Sequence, residues 1–334
     1  MRLYKGRILF IWTMLVGTVF AQAGYAQQTY DMVMTNELVS SHWTVTQMED
    51  LADKINARSD GRINAKVFSS ASLYNDQEAI AALGTGGVHM VWPVSVRIET
   101  IAPETGVLTL PFVIDDQMMM QDGAPAAVGD YLSSYLEPLG IRVFGVTRTA
   151  DLFFLTRSEP IERMSDLKGK KIRATGGRVM LDLLHQFGAQ SLSMPASEMG
   201  PAMSQGVIDG ILTSSGGWDM VGLSTAPYAT LVPGLSLVTY AILMDDNWFS
   251  SLPPDLQAVV QQTTEEFVAN SWEQSKQLDR QTLDALVERG GKLTVLDGPA
   301  RDEFIQAAQS VRDRWIDQHP EAWQQFETQM GAFE

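Results

Sequence analysis

Apolar and polar positions change period four times between residues 167 and 215, LKGKKIRATGGRVMLDLLHQFGAQSLSMPASEMGPAMSQGVIDGILTSS. Three extended segments, KKIRAT, AQSLSMP and VIDGILT, are separated by two helical ones. In the first helical segment, 178–187, Met180, Leu183, Leu184 and Phe187 share a face; the second, 197–204, opens with Ser-Glu and closes at Gly206. Strand–helix–strand–helix–strand at this density predicts a parallel sheet with right-handed crossovers, and ligands bind beyond the carboxyl ends of strands in such sheets. The residues leaving the three strands are Arg173, then Met194 and Pro195, then Thr213 and Ser214.

The same order of elements occurs earlier. Segment 29–36 alternates as a strand. Segment 42–58 is helical, with Met48, Leu51, Ala52 and Ile55 on one face, and 62–69 alternates again. A helix over 75–83 and a strand over 88–92 complete the unit, so the architecture repeats although the sequence does not. Two such halves predict an α/β protein of two lobes with a ligand cleft between strand ends. Extended runs at 141–156 and 235–244 would carry the chain across and back. A helix over 256–287 holds no proline or glycine and exceeds ordinary length. A short strand at 292–296 and a helix at 300–317 follow. The expected division is lobe I at 27–150 plus 239–278, and lobe II at 151–238 plus 279–334.

The first 26 residues read as a secretory signal. Arg2, Lys5 and Arg7 precede an apolar run at 8–20, and Gly24-Tyr25-Ala26 is a small-x-small cleavage site. Export implies a periplasmic protein. Losing those three bases takes the formal charge from −16 to −19, which excludes nucleic acid and anionic membrane surfaces as partners. With no cysteine there is neither a disulfide nor a thiolate site. The four histidines show no metal spacing, and no P-loop, G-x-G-x-x-G turn or nucleophile elbow is present. No metal or cofactor is expected.

Arg173 is the strongest candidate for chemistry. It stands at a strand end beside Gly176 and Gly177, and a planar guanidinium fork matches a carboxylate bidentately. LKGKKIR, the Gly-Gly turn, HQFGAQSLSMPASE and GVIDG, in this order and spacing, resemble the solute-binding proteins of TRAP transporters, of the DctP type. RSDGRINAKVFSSASLYNDQEAIAALGTGGVHM, LTLPFV, PYATLV and LMDDNWFSSLPPDLQAVV extend the resemblance over essentially the whole mature chain.

That resemblance implies a two-lobed periplasmic binding fold with a long spine helix, no catalysis, and a TRAP membrane permease as partner. It implies that Arg173 pairs with the substrate carboxylate. The family's second ligand arginine falls on Phe153, which stands either as core or as pocket wall. Arg148 and Arg157 are not obvious substitutes. An asparagine that donates to the ligand falls on Thr213. Trp92 and Arg97 sit where pocket residues are expected, Trp92 alternatively as core. Trp218 follows a glycine-rich turn, over the cleft or as a buried anchor. Met194 leaves the second strand. Asn36, with Glu37 and His42, forms the first strand-to-helix loop and either caps the helix or reaches the ligand. These residues predict a monomer that captures a small monocarboxylate with an apolar or aromatic body. The alternative class is a secreted α/β enzyme acting on a carboxylate.

Overall fold

The computed structural model describes residues 28–333, so the expected signal segment lies outside them. The first unit runs β1 (Tyr30–Thr35), α1 (Trp43–Arg58), β2 (Ile63–Phe68), α2 (Asp76–Ala82) and β3 (Met90–Val91). Two 3-10 helices, Ser95–Thr100 and Pro103–Thr109, lead to α3 (Asp116–Met119), α4 (Ala124–Leu136), β4 (Ile141–Asp151) and β5 (Phe153–Thr156). The second unit runs β6 (Lys171–Ala174), α5 (Arg178–Gln186), β7 (Gln190–Ser193), α6 (Ala196–Ser204) and β8 (Gly210–Thr213). After it come α7 (Ser215–Val221), β9 (Tyr228–Leu231), β10 (Leu237–Asp245), α8 (Asp246–Ser251), α9 (Pro254–Glu288), β11 (Lys292–Val295), α10 (Gly298–Gln318) and α11 (Pro320–Met330).

Two sheets result, one per lobe, ordered β2-β1-β3-β10-β4 and β11-β9-β5-β8-β6-β7. Strand β1 is parallel to β2 and β3, and β6 is parallel to β7 and β8, as the sequence pattern requires. The two long runs enter as antiparallel strands: β10 against β3 and β4, and β5 against β8 and β9. The third strand is shorter than its apolar run, because Pro93 lacks an N–H and the chain turns into the 3-10 helix.

The chain leaves the first sheet after Asp151 and returns to it at Leu237. Helix α9 makes a third crossing. Its 35 residues span about 50 Å. Near its middle, Trp272 Nε1 donates to the Val146 carbonyl at 3.1 Å, and further on Leu286 enters the core of the second lobe. One buried arginine ties the crossings together. Arg148 on β4 meets Asp116 at 2.6 Å, Asp279 of α9 at 2.9 Å and Asp151 at 3.3 Å. Asp279 also accepts from the Asp151 N–H and from the Ser215 hydroxyl at the start of α7. The last helix, α11, packs on α4, with Phe326 edge-on to Tyr131 at 5.6 Å. Among the described residues no helix is long and apolar enough to cross a membrane.

The glycine ending the VIDG run has a steric reason. A Cβ at Gly210 would lie 2.7 Å from Ile172 Cδ1 and 2.8 Å from the Leu155 carbonyl oxygen. Both neighbours belong to the strands flanking β8, and the Leu155 oxygen, being backbone, cannot retreat cheaply. Gly210→Ala is therefore expected to cost about 1–3 kcal/mol, read as a lowered midpoint in urea. An unchanged midpoint would mean that β6 and β5 yield at this point.

Candidate functional site

The carboxyl ends of the parallel strands of both sheets meet at one cleft. Lobe I contributes Glu37, Leu38 and His42 from the loop after β1, and Val94 and Val96 after β3. Lobe II contributes Arg173 to Gly176 from the end of β6 and the turn beyond it, Thr213 and Ser214 from the end of β8, and Met180, Met199 and Met220 from helices. Leu152 and residues 237–240 close it from the crossings. Most of this wall is aliphatic or thioether.

Arg173 is the cation of the cleft. It is 1% exposed, and its Nε and Nη2 both donate to the Met194 carbonyl, at 3.0 and 2.8 Å. That backbone acceptor fixes the guanidinium plane without neutralising it. Burial pushes the group down to about 10, Glu37 opposes this, and the neighbouring Arg97 adds to it; the group stays charged at neutral pH. Among the described residues neither Arg173 nor Arg97 forms an ion pair, whereas the equally buried Arg148 has three. Buried charges are ordinarily paired, so an unpaired guanidinium at this depth is the exception among the described residues.

The polar groups beside it lie in the first lobe and in β10. Glu37 is 3% exposed and accepts from the Asp76 N–H at 3.2 Å. Asp76 accepts from the Val94 N–H at 2.8 Å; burial, then the nearness of Glu37, raises its carboxyl well above the usual range. Tyr240 lies within electrostatic reach of Asp76, Glu37 and Arg173, and burial raises its phenol further. His42 caps α1 through Nδ1, which accepts from the Thr44 N–H at 3.2 Å. Burial pushes its imidazole down to about 4, so it is neutral, with the proton left for Nε2.

The sequence-predicted residues divide. Arg173 and Thr213 line the cleft. Met194 acts through its carbonyl, while its side chain packs on the core of the second lobe. Arg97 lies at the cleft's edge, its Nη1 against Gly176, and its Nε has no hydrogen-bond partner among the described residues. The other four lie elsewhere. Trp92 is fully buried against Phe267 of α9, 5.1 Å between rings. Trp218 is fully buried, and its indole N–H donates to the Ala226 carbonyl at 2.6 Å. Phe153 is 1% exposed and belongs to the core beneath α6 and α7, with Met199, Met203 and Trp218. Asn36 spends its amide on the backbone, donating to the Trp92 carbonyl at 2.8 Å and accepting from the Leu38 N–H at 2.7 Å. None of the four lines the cleft; each is spent on packing or on backbone hydrogen bonds.

Sequence reasoning passed over Tyr240, hidden in an apolar crossing run, and Asp76, which looks like an ordinary residue of a helix's first turn. Glu37 and His42 were legible only as loop polarity. No group of three or more His, Asp or Glu that could hold a metal occurs among the described residues.

Comparison with known proteins agrees with this geometry. The family model for bacterial extracellular solute-binding protein, family 7 (DctP), matches residues 34–318. The C4-dicarboxylate-binding periplasmic protein DctP of Vibrio cholerae is 22% identical over 287 residues, covering 84% of this chain and 81% of that one. Among solved structures, the sugar acid binding protein DctPAm of Advenella mimigardefordensis, in complex with galactonate, superposes with a TM-score of 0.84 at 20% identity. It covers 92% of this chain and 99% of that one. A Bordetella pertussis extracytoplasmic solute receptor binding pyroglutamic acid gives 0.83 at 19%, over 90% and 99% of the two chains. With two α/β lobes, a spine helix and a buried cation in the cleft, the chain belongs to the DctP family, family 7 of the bacterial extracellular solute-binding proteins.

Proposed function

We propose that this protein captures a small monocarboxylate with an apolar or aromatic body, such as a branched or aromatic 2-oxo or 2-hydroxy acid, and delivers it to a TRAP permease. The observation that carries this reading is Arg173: a buried guanidinium without an ion pair among the described residues, in a cleft whose walls are mostly apolar.

Charge and polarity support the single carboxylate. Arg173 and Arg97 carry two positive charges at or beside the cleft, and Glu37 carries one negative charge. Asp76 keeps its proton to higher pH than an ordinary carboxyl, because it is buried next to Glu37. Two cations against Glu37 favour a ligand of one negative charge, and a second carboxylate would add repulsion with Glu37 and Asp76 in a low-dielectric site. A sugar acid would bring hydroxyls against Val94, Val96, Leu152 and Leu212, where each unpartnered polar group costs on the order of 1–3 kcal/mol. Related proteins bind dicarboxylates, sugar acids and a cyclic monoacid, so the shared fold leaves the ligand to the side chains.

The test is calorimetric titration of the purified protein at fixed pH with phenylpyruvate and 4-methyl-2-oxopentanoate, against succinate, malate and galactonate. The 2-oxo acids are expected to bind at least tenfold tighter than the others and to be recovered unchanged. Tightest binding by succinate would overturn the monoacid reading and bring Arg97 into the cleft as the second cation. Turnover of a bound acid would favour the enzyme reading instead.

A further inference from the structure

Helix N-termini leave backbone N–H groups without intrahelical partners, and chains satisfy them in stereotyped ways. In this protein α1, α2, α3, α7 and α8 carry their own side-chain caps. Helices α4, α9, α10 and α11 instead start with a proline in the first turn. Among the described residues, only α5 and α6 have neither device. These are the two helices that follow β6 and β7, and their N-termini face the first lobe across the cleft.

Their partners come from that other lobe. Glu99, in the 3-10 helix after β3, accepts from the Val179 N–H of α5 at 3.3 Å. Glu37, after β1, accepts from the Ala196 N–H of α6 at 3.1 Å with one oxygen and from its own lobe with the other. Both carboxylates are nearly fully buried, at 7% and 3% exposure. The double glycine makes room for this docking. A Cβ on Gly177, at φ +78°, would lie 2.3 Å from Val96 Cγ2 and 2.7 Å from Glu99 Oε2. One on Gly176 would lie 3.0 Å from Arg97 Nη1.

We propose that Glu37 and Glu99 are positioning residues for ligand capture: lobe I supplies the missing caps of α5 and α6, and these caps form only when the cleft shuts. The caps act on the binding machinery directly. Ala196 lies two residues after Met194, whose carbonyl holds the Arg173 guanidinium, and α5 begins directly after the turn bearing Thr175 and Gly176. Opening the lobes hands these N–H groups to water; shutting them returns the caps and aligns the cation. Each cap is expected to favour the shut state about fivefold.

The inference rests on the ligand-capture reading above but is tested separately. The chain has no cysteine, so Leu73→Cys and Val207→Cys, at exposed positions of the two lobes, place a unique pair of spin labels. Distances are measured with and without 4-methyl-2-oxopentanoate. The ratio of short- to long-distance populations in Glu37→Ala/Glu99→Ala should fall at least tenfold below that of the wild type in whichever condition populates the short distance. The single variant Glu99→Ala, which gives up no hydrogen bond within lobe I, should keep the ligand-free midpoint of the wild type while losing part of the short population, which a purely structural role would not allow; Glu37→Ala also removes the acceptor of the Asp76 N–H and should lower its midpoint slightly. Equal short populations, or a wild type without any in either condition, would overturn the latch. A wild type that closes without responding to the acid counts against the ligand reading alone, since the variants still test the caps.

A pH series gives an independent readout. The Glu99 carboxyl is pushed up to about 7, chiefly by burial, and its Oε2 has no partner among the described residues. The charged groups around it are Arg178 and Asp182 of α5, Arg314 of α10, which meets Asp182 at 3.7 Å, and Arg97 on its own turn. A carboxyl whose pKa is raised in the shut form favours that form fully below its ordinary value, and the advantage is lost as pH rises through about 7. Closure should therefore weaken between pH 5 and 8 in the wild type. Glu99→Gln keeps the acceptor for Val179 and should close with a flatter profile; an unchanged profile would remove Glu99 from the latch.

Discussion

Arg173→Ala is expected to fold normally and to lose the ligand. A desolvated guanidinium–carboxylate pair deprived of one partner costs about 3–5 kcal/mol, or roughly two to four decades in affinity. The cost falls on binding rather than folding, because Arg173 forms no ion pair among the described residues and Glu37 acts on it only at longer range. Its firmest contact is the Met194 carbonyl, and burial already presses its pKa down. Removing it relieves a buried charge, so the thermal midpoint without ligand should hold or rise by a few degrees while titration shows no saturation. Arg173→Lys keeps the charge but loses the fork that both grips Met194 and presents the free edge, so it should also bind clearly more weakly. A near-native affinity in Arg173→Ala would move the anion site elsewhere in the cleft.

Why Arg173 was legible in the sequence and Tyr240 was not follows from how each is held. Arg173 ends a strand whose neighbours fix its place: a parallel order, a double-glycine turn, and a carbonyl one strand over. Those are local and periodic features. Tyr240 reaches the cleft because β10 crosses between lobes as an antiparallel strand, and no period in LVTYAILMD marks which of its residues faces the gap. The aromatic residues failed for the opposite reason. Trp92 and Phe153 sit at strand ends, where a large ring serves a pocket wall or a core equally well. The decision was made by distant partners: Phe267 on the spine helix for Trp92, and α6 with α7 for Phe153.

Helix periodicity translated most directly. The segment read as 256–287 is a helix at Pro254–Glu288, and 178–187 is one at Arg178–Gln186. What periodicity could not show was the electrostatic tie among the crossings. Arg148 stands in a run that reads only as extended, and two of its three acids lie 32 and 131 residues away in sequence.

That tie sets the second large effect. Asp279→Ala removes the acceptor that serves Arg148, the Asp151 N–H and the Ser215 hydroxyl at once. Arg148 is 2% exposed and would keep only Asp116 and Asp151, both more exposed than Asp279. Breaking a buried pair from one side costs about 3–5 kcal/mol, which for a chain of this size corresponds to a fall of roughly 10 °C in the thermal midpoint. Ser215→Ala, which removes one hydrogen bond and no charge, should cost about 1 kcal/mol. Replacing both ends together, as Arg148→Met with Asp279→Leu, should recover most of the loss, because an apolar pair of similar volume avoids burying any ion. The three midpoints are read by scanning calorimetry. A fall of less than about 2 °C in Asp279→Ala would show that Asp116 and Asp151 alone hold Arg148. A double variant no better than Asp279→Ala would show that the crossings depend on the hydrogen-bond geometry of this arginine rather than on the balance of its charge.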